Sequence, residues 1–204
     1  AGIRLSKLIK ISLDNNLTGL EWATGIPGTV GGAVRGNAGV MGQSISDILT
    51  KITIFSKNKI KTMTVSEAQF SYRQSIFQQH KSKIILSVEV KLKKGNANQS
   101  QKVISELLQQ RQRKQPLNYP NAGCIFKNPA RQSAGQLIDQ CGLKGEKIGQ
   151  AQISLKHANF IVNLGGATSK QVLTLINLIK QTVKDKFAVD LQVEIEFLST
   201  PLLK

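Results

Sequence analysis

The sequence predicts an α+β fold, in which helices and strands follow one another without a regular repeat. Segments with a helical spacing of apolar residues are interspersed with segments in which apolar and polar residues alternate one by one. Hydrophobic residues make up 40% of the 204 residues and charged residues 20%, which is typical of a globular protein with a core. Glycine, asparagine and proline separate the segments and mark the turns.

The first half of the chain contains one predicted helix and several predicted strands. Residues 5–15 carry apolar side chains at helical spacing. Residues 51–55 are rich in β-branched side chains and predict a strand, and residues 59–65 are its predicted hairpin mate. In residues 86–92 every second side chain is apolar, which predicts a half-buried strand.

A polar, turn-forming segment at residues 93–98 marks the predicted boundary between two domains, 1–95 and 96–204. A helix is predicted to begin near Ser100 and to end at Pro116.

The remaining elements of the second domain are a short helix, a buried strand, a long helix and a final strand. The short helix covers residues 134–141, and the strand covers 159–163. Thr168 and Gln171 have the spacing of a capping box at the start of the long helix. Alternation in residues 191–197 predicts a last strand with one polar face.

Charge and composition limit the classes of partner. The net charge is +16, which favours a polyanionic partner. The lysines are scattered, however, and aromatic residues make up only 5%, so nucleic-acid binding is disfavoured. No apolar run approaches the ~20 residues that a membrane span needs. Two cysteines without metal-site spacing predict no metal site and fit a reducing, cytoplasmic compartment.

The glycine-rich segment, residues 25–39, is the most informative part of the chain. It contains six glycines, so we expect no regular helix or strand there. Its exposed amides would suit phosphate or another anionic group. A tight turn beside a buried strand explains the composition as well, and the spacing matches neither a Rossmann fingerprint nor a P-loop.

Five side chains outside this segment are candidates for chemistry. Arg73 lies between Phe70 and Phe77 in sequence and could bind a carboxylate. Cys124 follows a glycine and could donate a proton. Both residues also have an ordinary explanation. Arg73 could be a surface arginine and Cys124 a structural cysteine, as most residues of these types are. The same holds for the remaining candidates, Glu194, Lys114 and Lys127.

Several motifs in a fixed order resemble those of the UDP-N-acetylenolpyruvoylglucosamine reductase (MurB) family. The resemblance begins in the glycine-rich segment and extends over nearly the whole chain. The matching stretches are residues 19–34, 37–39, 72–77, 114–116, 120–129, 134–139, 142–145, 154–163 and 191–195.

This resemblance implies part of an FAD-binding domain of the VAO/PCMH type, followed by a smaller α+β substrate-binding domain. It implies a reaction in which NADPH reduces FAD, and the flavin then reduces the enolpyruvyl ether of a UDP-sugar to UDP-N-acetylmuramate for peptidoglycan synthesis. The implied FAD-binding residues are Gly25, Ile26, Pro27, Gly28, Thr29, Gly31, Gly32, Asn37, Ala38 and Gly39.

The resemblance also assigns the catalytic and substrate-binding residues. Arg73 and Glu194 would stabilise the enolic intermediate, and Cys124 would protonate it. A thiol is a stronger acid than a serine hydroxyl, so cysteine suits this role. The implied substrate-binding residues are Tyr72, Lys114 and Asn128.

Two departures from the family pattern are expected. Ala1 aligns with the middle of the FAD domain, so the segment with the pyrophosphate loop would be missing from this chain. No extra substrate-capping loop lies between Arg73 and Cys124, which indicates the loopless subtype. The alternative function is that of a partial, inactive fragment that binds nucleotides or polyanions through its basic surface.

Overall fold

The computed structural model describes residues 1–130 and 132–198. The chain divides into two compact units, unit 1 (residues 1–111) and unit 2 (residues 112–204). Helices and strands are mixed in both units, so the predicted α+β class is confirmed.

Unit 1 contains three antiparallel sheets and four helices, together with three short 3₁₀ turns at Glu21–Ala23, Ile45–Asp47 and Ser66–Ala68. The largest sheet has the order β5-β4-β6, and the two-stranded sheets are β1-β7 and β2-β3. The elements are α1 (Leu5–Asp14), β1 (Leu17–Thr18), α2 (Val30–Arg35), β2 (Gly39–Val40), β3 (Gln43–Ser44), β4 (Leu49–Ser56), β5 (Lys59–Met63), α3 (Ile76–Gln79), β6 (Ile84–Val90), β7 (Lys93–Lys94) and α4 (Ala97–Lys114).

The predicted helix at 5–15 and the predicted hairpin at 51–65 are confirmed as α1, β4 and β5. The predicted strand at 86–92 is confirmed as β6, but its inward-facing residues differ from the prediction. Thr53 pairs with Ser87 and Ile54 pairs with Ile85, so Leu86 is an extra residue in the ladder. This bulge turns Leu86 outward, where it is 41% exposed.

Helix α2 lies inside the glycine-rich segment, so the prediction of no regular helix there is wrong. Thr29 caps this helix by accepting a hydrogen bond from the amide of Gly32. Val30, Ala33 and Val34 are buried in the core of unit 1, and this burial stabilises a short helix that glycine would otherwise weaken.

Helix α4 begins at Ala97, three residues before the predicted start at Ser100. The side chain of Asn96 accepts hydrogen bonds from the amides of Asn98 and Gln99 and therefore caps the helix. Ser100 instead donates a hydrogen bond to the carboxylate of Glu21, at 2.5 Å. The division between the two units falls in the last turn of α4.

Among its described residues, unit 2 contains one antiparallel sheet of order β8-β11-β10-β9 and two helices. Its core is formed by the sheet and the buried side of α6, where Leu175, Ile176, Ile179 and Val183 are buried. The elements are β8 (Asn121–Cys124), α5 (Ala134–Gln140), β9 (Lys147–Ile148), β10 (Ala151–Ile153), β11 (Phe160–Asn163) and α6 (Ser169–Phe187).

The predicted capping box of α6 is confirmed, because Thr168 and Gln171 each bond to the other's backbone amide. The predicted helix at 134–141 and the predicted strand at 159–163 are confirmed as α5 and β11. The predicted strand at 191–197 is wrong in extent. Only Val193 forms a bridge, to Phe126, and Phe197 is 57% exposed, so little of the segment has a partner strand.

Candidate functional site: a glycine-rich loop with an arginine turn, and a cysteine–glutamate pair of neighbouring segments

The glycine-rich segment of unit 1 divides into an exposed part and a buried part. Gly25, Pro27 and Gly28 are exposed, whereas Asn37 and Gly39 are buried. A Cβ added at Gly28 would meet no atom within 4 Å, so this backbone has open space beside it. The predicted FAD-binding residues therefore range from exposed to buried, and only the exposed ones could touch an external ring directly.

The amides at the start of α2 already have partners within the chain. The amide of Val30 donates to the carbonyl of Ile3 and that of Gly31 to the carbonyl of Ala1, both at 2.9 Å. The amide of Gly32 donates to Thr29. An anion would have to displace these bonds, so the exposed backbone of residues 25–28 is the better surface for a ligand.

Helix α4 packs against the first glycine of the segment. Gly25 has φ +73°, and a Cβ there would lie 2.9 Å from the side chain of Arg111. Upstream, Glu21 accepts hydrogen bonds from Thr18, Gly19 and Ser100. Burial alone would raise the pKa of Glu21, but these hydrogen bonds outweigh it and the pKa lies below its usual value. The residues just before the glycine-rich segment, and its first glycine, are thus held against α4.

Arg73 lies in a four-residue turn that the glycine-rich segment holds directly. Ser71 and Gln74 exchange two backbone hydrogen bonds across this turn, at 3.2 and 3.1 Å. The buried side chain of Asn37 donates to the carbonyl of Ser71 at 2.9 Å, and Ser75 donates to the carbonyl of Arg35 at 2.5 Å. The structure therefore brings the segment and the arginine turn together within unit 1.

The side chains of Tyr72 and Arg73 stack at the tip of this turn. The guanidinium carbon of Arg73 lies 5.2 Å from the centre of the Tyr72 ring, which is a cation–π contact. Arg73 has φ +56°, an uncommon conformation for a residue with a side chain. The turn therefore holds Arg73 in a conformation that also occurs in other turns of this chain, such as at Lys57 and Gln69.

Cys124 is the last residue of β8 in unit 2 and pairs with Phe160 of β11. Gly123 precedes it with φ +81°, and its amide donates to the side chain of Asn121. This turn makes the strand irregular just before the thiol. Cys124 is half-buried, and neither Cys124 nor Cys141 forms a disulfide.

Glu194 lies on a segment that is hydrogen-bonded to residues 125–127, which directly follow Cys124. Its amide donates to the carbonyl of Ile125 at 2.8 Å, and the amide of Lys127 donates to the carbonyl of Gln192 at 2.9 Å. Two predicted catalytic residues thus lie on adjacent, hydrogen-bonded segments of unit 2.

Lys114 and Asn128 occupy different surroundings within unit 2. Lys114 is exposed at the end of α4, next to a cavity of about 400 Å³ that residues 115–119, Gln152 and Lys156 help to line. Asn128 is also exposed, and its side-chain oxygen accepts a hydrogen bond from the amide of Ala134 at the start of α5. Asn128 therefore holds that helix as well as facing solvent.

Two similarities to known proteins identify the family of this chain. The family of UDP-N-acetylenolpyruvoylglucosamine reductase C-terminal domains matches residues 115–198, which include Cys124, Asn128 and Glu194. A protein of that reductase name from Pseudothermotoga lettingae is 42% identical, over 96% of this chain and 69% of its own length.

The chain belongs to the UDP-N-acetylenolpyruvoylglucosamine reductase (MurB) family. A reductase of the same name from Anoxybacillus flavithermus is 47% identical over 96% of this chain. The crystal structure of the MurB protein from Thermus caldophilus superposes with a TM-score of 0.85 at 39% identity, over 96% of this chain and 70% of that chain. The chain spans 65% of the length of the Anoxybacillus relative.

The most important residue that the sequence interpretation missed as part of this site is Asn159. It is 2% exposed and bonds to the residues that follow Cys124. The available signal was an asparagine at the head of an otherwise apolar, buried strand, since buried polar side chains need specific partners.

Within residues 1–130 and 132–198, no three His, Cys, Asp or Glu side chains converge as metal ligands. None of the helices in this described part has the length and apolar composition required to cross a bilayer.

Proposed function

We propose that this protein takes part in the NADPH-dependent, FAD-mediated reduction of UDP-N-acetylenolpyruvoylglucosamine to UDP-N-acetylmuramate, in the cytoplasm, for peptidoglycan precursor synthesis. Family membership supports the proposal. The observation that carries it is the position of Cys124 and Glu194 on adjacent segments, joined through the 2.8 Å bond between Glu194 and Ile125.

FAD, when bound, accepts a hydride from NADPH and passes it to the enolpyruvyl group. The exposed backbone at Pro27 and Gly28 fits the approach of a flat ring, because a Cβ added at Gly28 would meet no atom within 4 Å. Asn37 and Gly39 are buried, so their part in such a site would be to hold the glycine-rich segment in place.

Each proposed catalytic residue has a separate task. Arg73 would bind the substrate carboxylate and stabilise the negative charge that develops on it. Glu194 would stabilise the enolic form through hydrogen bonds. Cys124 would deliver its thiol proton to the carbon atom that completes reduction.

The substrate's nucleotide portion would bind to cationic and amide groups of unit 2. Lys114 is an exposed cation beside the 400 Å³ cavity, and Asn128 has an exposed amide. A lysine suits a phosphate as a flexible point charge. Tyr72, which stacks on Arg73, would contact the sugar.

Cys124→Ala tests this assignment. We expect substrate-dependent turnover to fall by about 10²–10⁴-fold, the usual contribution of a general acid, while flavin reduction by NADPH keeps its rate. Cys141→Ala is the matched control and should keep both rates, because Cys141 lies at the end of α5 outside the proposed site. Full turnover of Cys124→Ala would overturn the proton-donor assignment.

The alternative, a basic module that only binds polyanions, has no support from the family comparisons. It predicts salt-sensitive binding to a polyanion without flavin uptake. Flavin retained during purification, together with substrate-dependent NADPH oxidation, would exclude it.

A further inference from the structure

The β-ladder that carries Cys124 ends where its neighbouring strand turns away. Cys124 pairs with Phe160, and the amide of Ile125 still reaches the carbonyl of Asn159 at 2.8 Å. Before Asn159 the chain bends, because the amide of Phe160 donates back to the carbonyl of His157. Ile125 and Phe126 are each only 1% exposed, so the polar backbone of Phe126 needs partners that the next strand residue does not supply.

The side chain of Asn159 supplies them. Its Oδ1 accepts a hydrogen bond from the amide of Phe126 at 2.9 Å, and its Nδ2 donates to the carbonyl of Phe126 at 2.8 Å. A carboxamide has the donor and acceptor of a peptide group, so this side chain replaces one residue of the missing ladder. Asn159 is 2% exposed, and water therefore does not compete strongly for these bonds.

The opposite edge of the same segment holds Glu194. The carbonyl of Ile125 accepts from the amide of Glu194, and the amide of Lys127 donates to the carbonyl of Gln192. Residues 125–127 are therefore bonded to Asn159 on one side and to residues 192–194 on the other. The position of this segment sets how Cys124 lies relative to Glu194.

We propose that Asn159 is a positioning residue, which fixes Cys124 and Glu194 relative to each other through its two hydrogen bonds to Phe126. The catalytic meaning of that position rests on the proposed function. The positioning itself does not rest on the proposed function. It can be measured without any turnover, through the reactivity of the Cys124 thiol and the exchange of the Phe126 amide hydrogen.

The test compares Asn159→Ala with the parent protein, both carrying Cys141→Ala so that Cys124 is the single thiol. We expect the rate at which iodoacetamide alkylates Cys124 to change by about tenfold, which corresponds to a change of about 1.4 kcal/mol in the activation free energy. We expect the amide hydrogen of Phe126 to exchange faster by a similar factor of about ten.

Val183→Ala is the matched control for a general loss of stability. Val183 is buried in the same core, on α6, and has no bond to residues 124–127 among the contacts described. The alkylation rate should stay within about twofold of the parent, and the exchange rate of the Phe126 amide should rise only by the factor that the measured loss of unfolding free energy gives. Equal acceleration in Val183→Ala and Asn159→Ala would overturn the proposal.

Asn159→Ser is the second variant and decides the question if Asn159→Ala does not fold. A hydroxyl is too short and has too few polar atoms to bridge both groups of Phe126, so both rates should still change. Unchanged rates in a folded Asn159 variant would show that Asn159 does not position the segment.

Turnover separates this proposal from the function on which it builds. If Cys124→Ala keeps full turnover while Asn159→Ala changes the thiol and exchange rates, the proposed proton donor is wrong and the positioning stands. If turnover needs Cys124 and the two rates do not respond to Asn159, the positioning is wrong and the function stands.

Discussion

Asn37 in unit 1 and Asn159 in unit 2 both use a buried side-chain amide to hold a segment with a proposed catalytic residue. Asn37 divides its bonds between two places, the carbonyl of Ser71 at 2.9 Å and the amide of Ser46 at 3.3 Å. Asn159 directs both bonds to one residue, Phe126, at 2.9 and 2.8 Å. The first amide connects three segments, whereas the second replaces part of a strand.

This difference matters because the two segments have different numbers of other hydrogen bonds to hold them. The turn that carries Arg73 has two backbone hydrogen bonds of its own, and Ser75 gives it a further link to Arg35. The amide and carbonyl of Phe126 have the side chain of Asn159 as their described partner. Loss of Asn37 should therefore be partly compensated, and loss of Asn159 should not.

The largest effect is expected for Asn159→Leu, which keeps the size of the side chain but removes both polar atoms. The amide and carbonyl of Phe126 would remain buried without partners, at a cost of about 1–3 kcal/mol each and so about 2–6 kcal/mol in all. The free energy of unfolding from chemical denaturation measures this loss. A cost below that of Asn37→Ala would contradict the comparison between the two asparagines.

A smaller effect is expected for Asn37→Ala. Asn37 has φ +43°, so alanine loses the amide and also adopts an unfavourable backbone conformation. We expect a loss of about 1–3 kcal/mol in the free energy of unfolding.

Asn37→Gly separates the two causes, because glycine accepts the backbone conformation and lacks the amide. If glycine restores most of the stability, the backbone conformation dominates. If glycine and alanine cost the same, the hydrogen bonds to Ser71 and Ser46 dominate.

A contrast between local and long-range contacts explains which elements the sequence could predict. Periodic elements such as α1, β4 and α6 follow from local spacing and caps, and the structure confirms them. The start of α4 was misplaced because Ser100 bonds to Glu21, which lies 79 residues away in sequence. The helix inside the glycine-rich segment depends on burial of Val30, Ala33 and Val34, which composition does not reveal.

The sequence proposes functional residues, but it does not reveal which residues hold them in place. The motif order was enough to single out Arg73, Cys124 and Glu194. The links that hold them, from Asn37 to Ser71 and from Asn159 to Phe126, join residues 34 and 33 positions apart. No local pattern encodes such pairs, because a buried amide is defined by the backbone that surrounds it in the fold.

The smallest expected effect concerns His157, whose Nδ1 accepts a hydrogen bond from the amide of Asn159 at 3.2 Å. Burial lowers the pKa of His157 below its usual value of 6.5; its backbone hydrogen bond opposes this shift, and the nearby charge of Lys144 adds to it. Protonation of Nδ1 would also remove the acceptor for the Asn159 amide.

Because the unfolded chain binds the proton more readily than the folded one, the unfolding free energy should be highest above pH 6.5 and fall as the pH drops below that value. Denaturation between about pH 7.5 and 5.5 measures the slope, a range that stays above the ordinary titration of carboxyl groups. His157→Gln should flatten the slope, since glutamine does not titrate, whereas the matched variant of the exposed His80, His80→Gln, should keep it. The opposite ranking of the two variants would mean that the pH dependence does not arise beside Asn159.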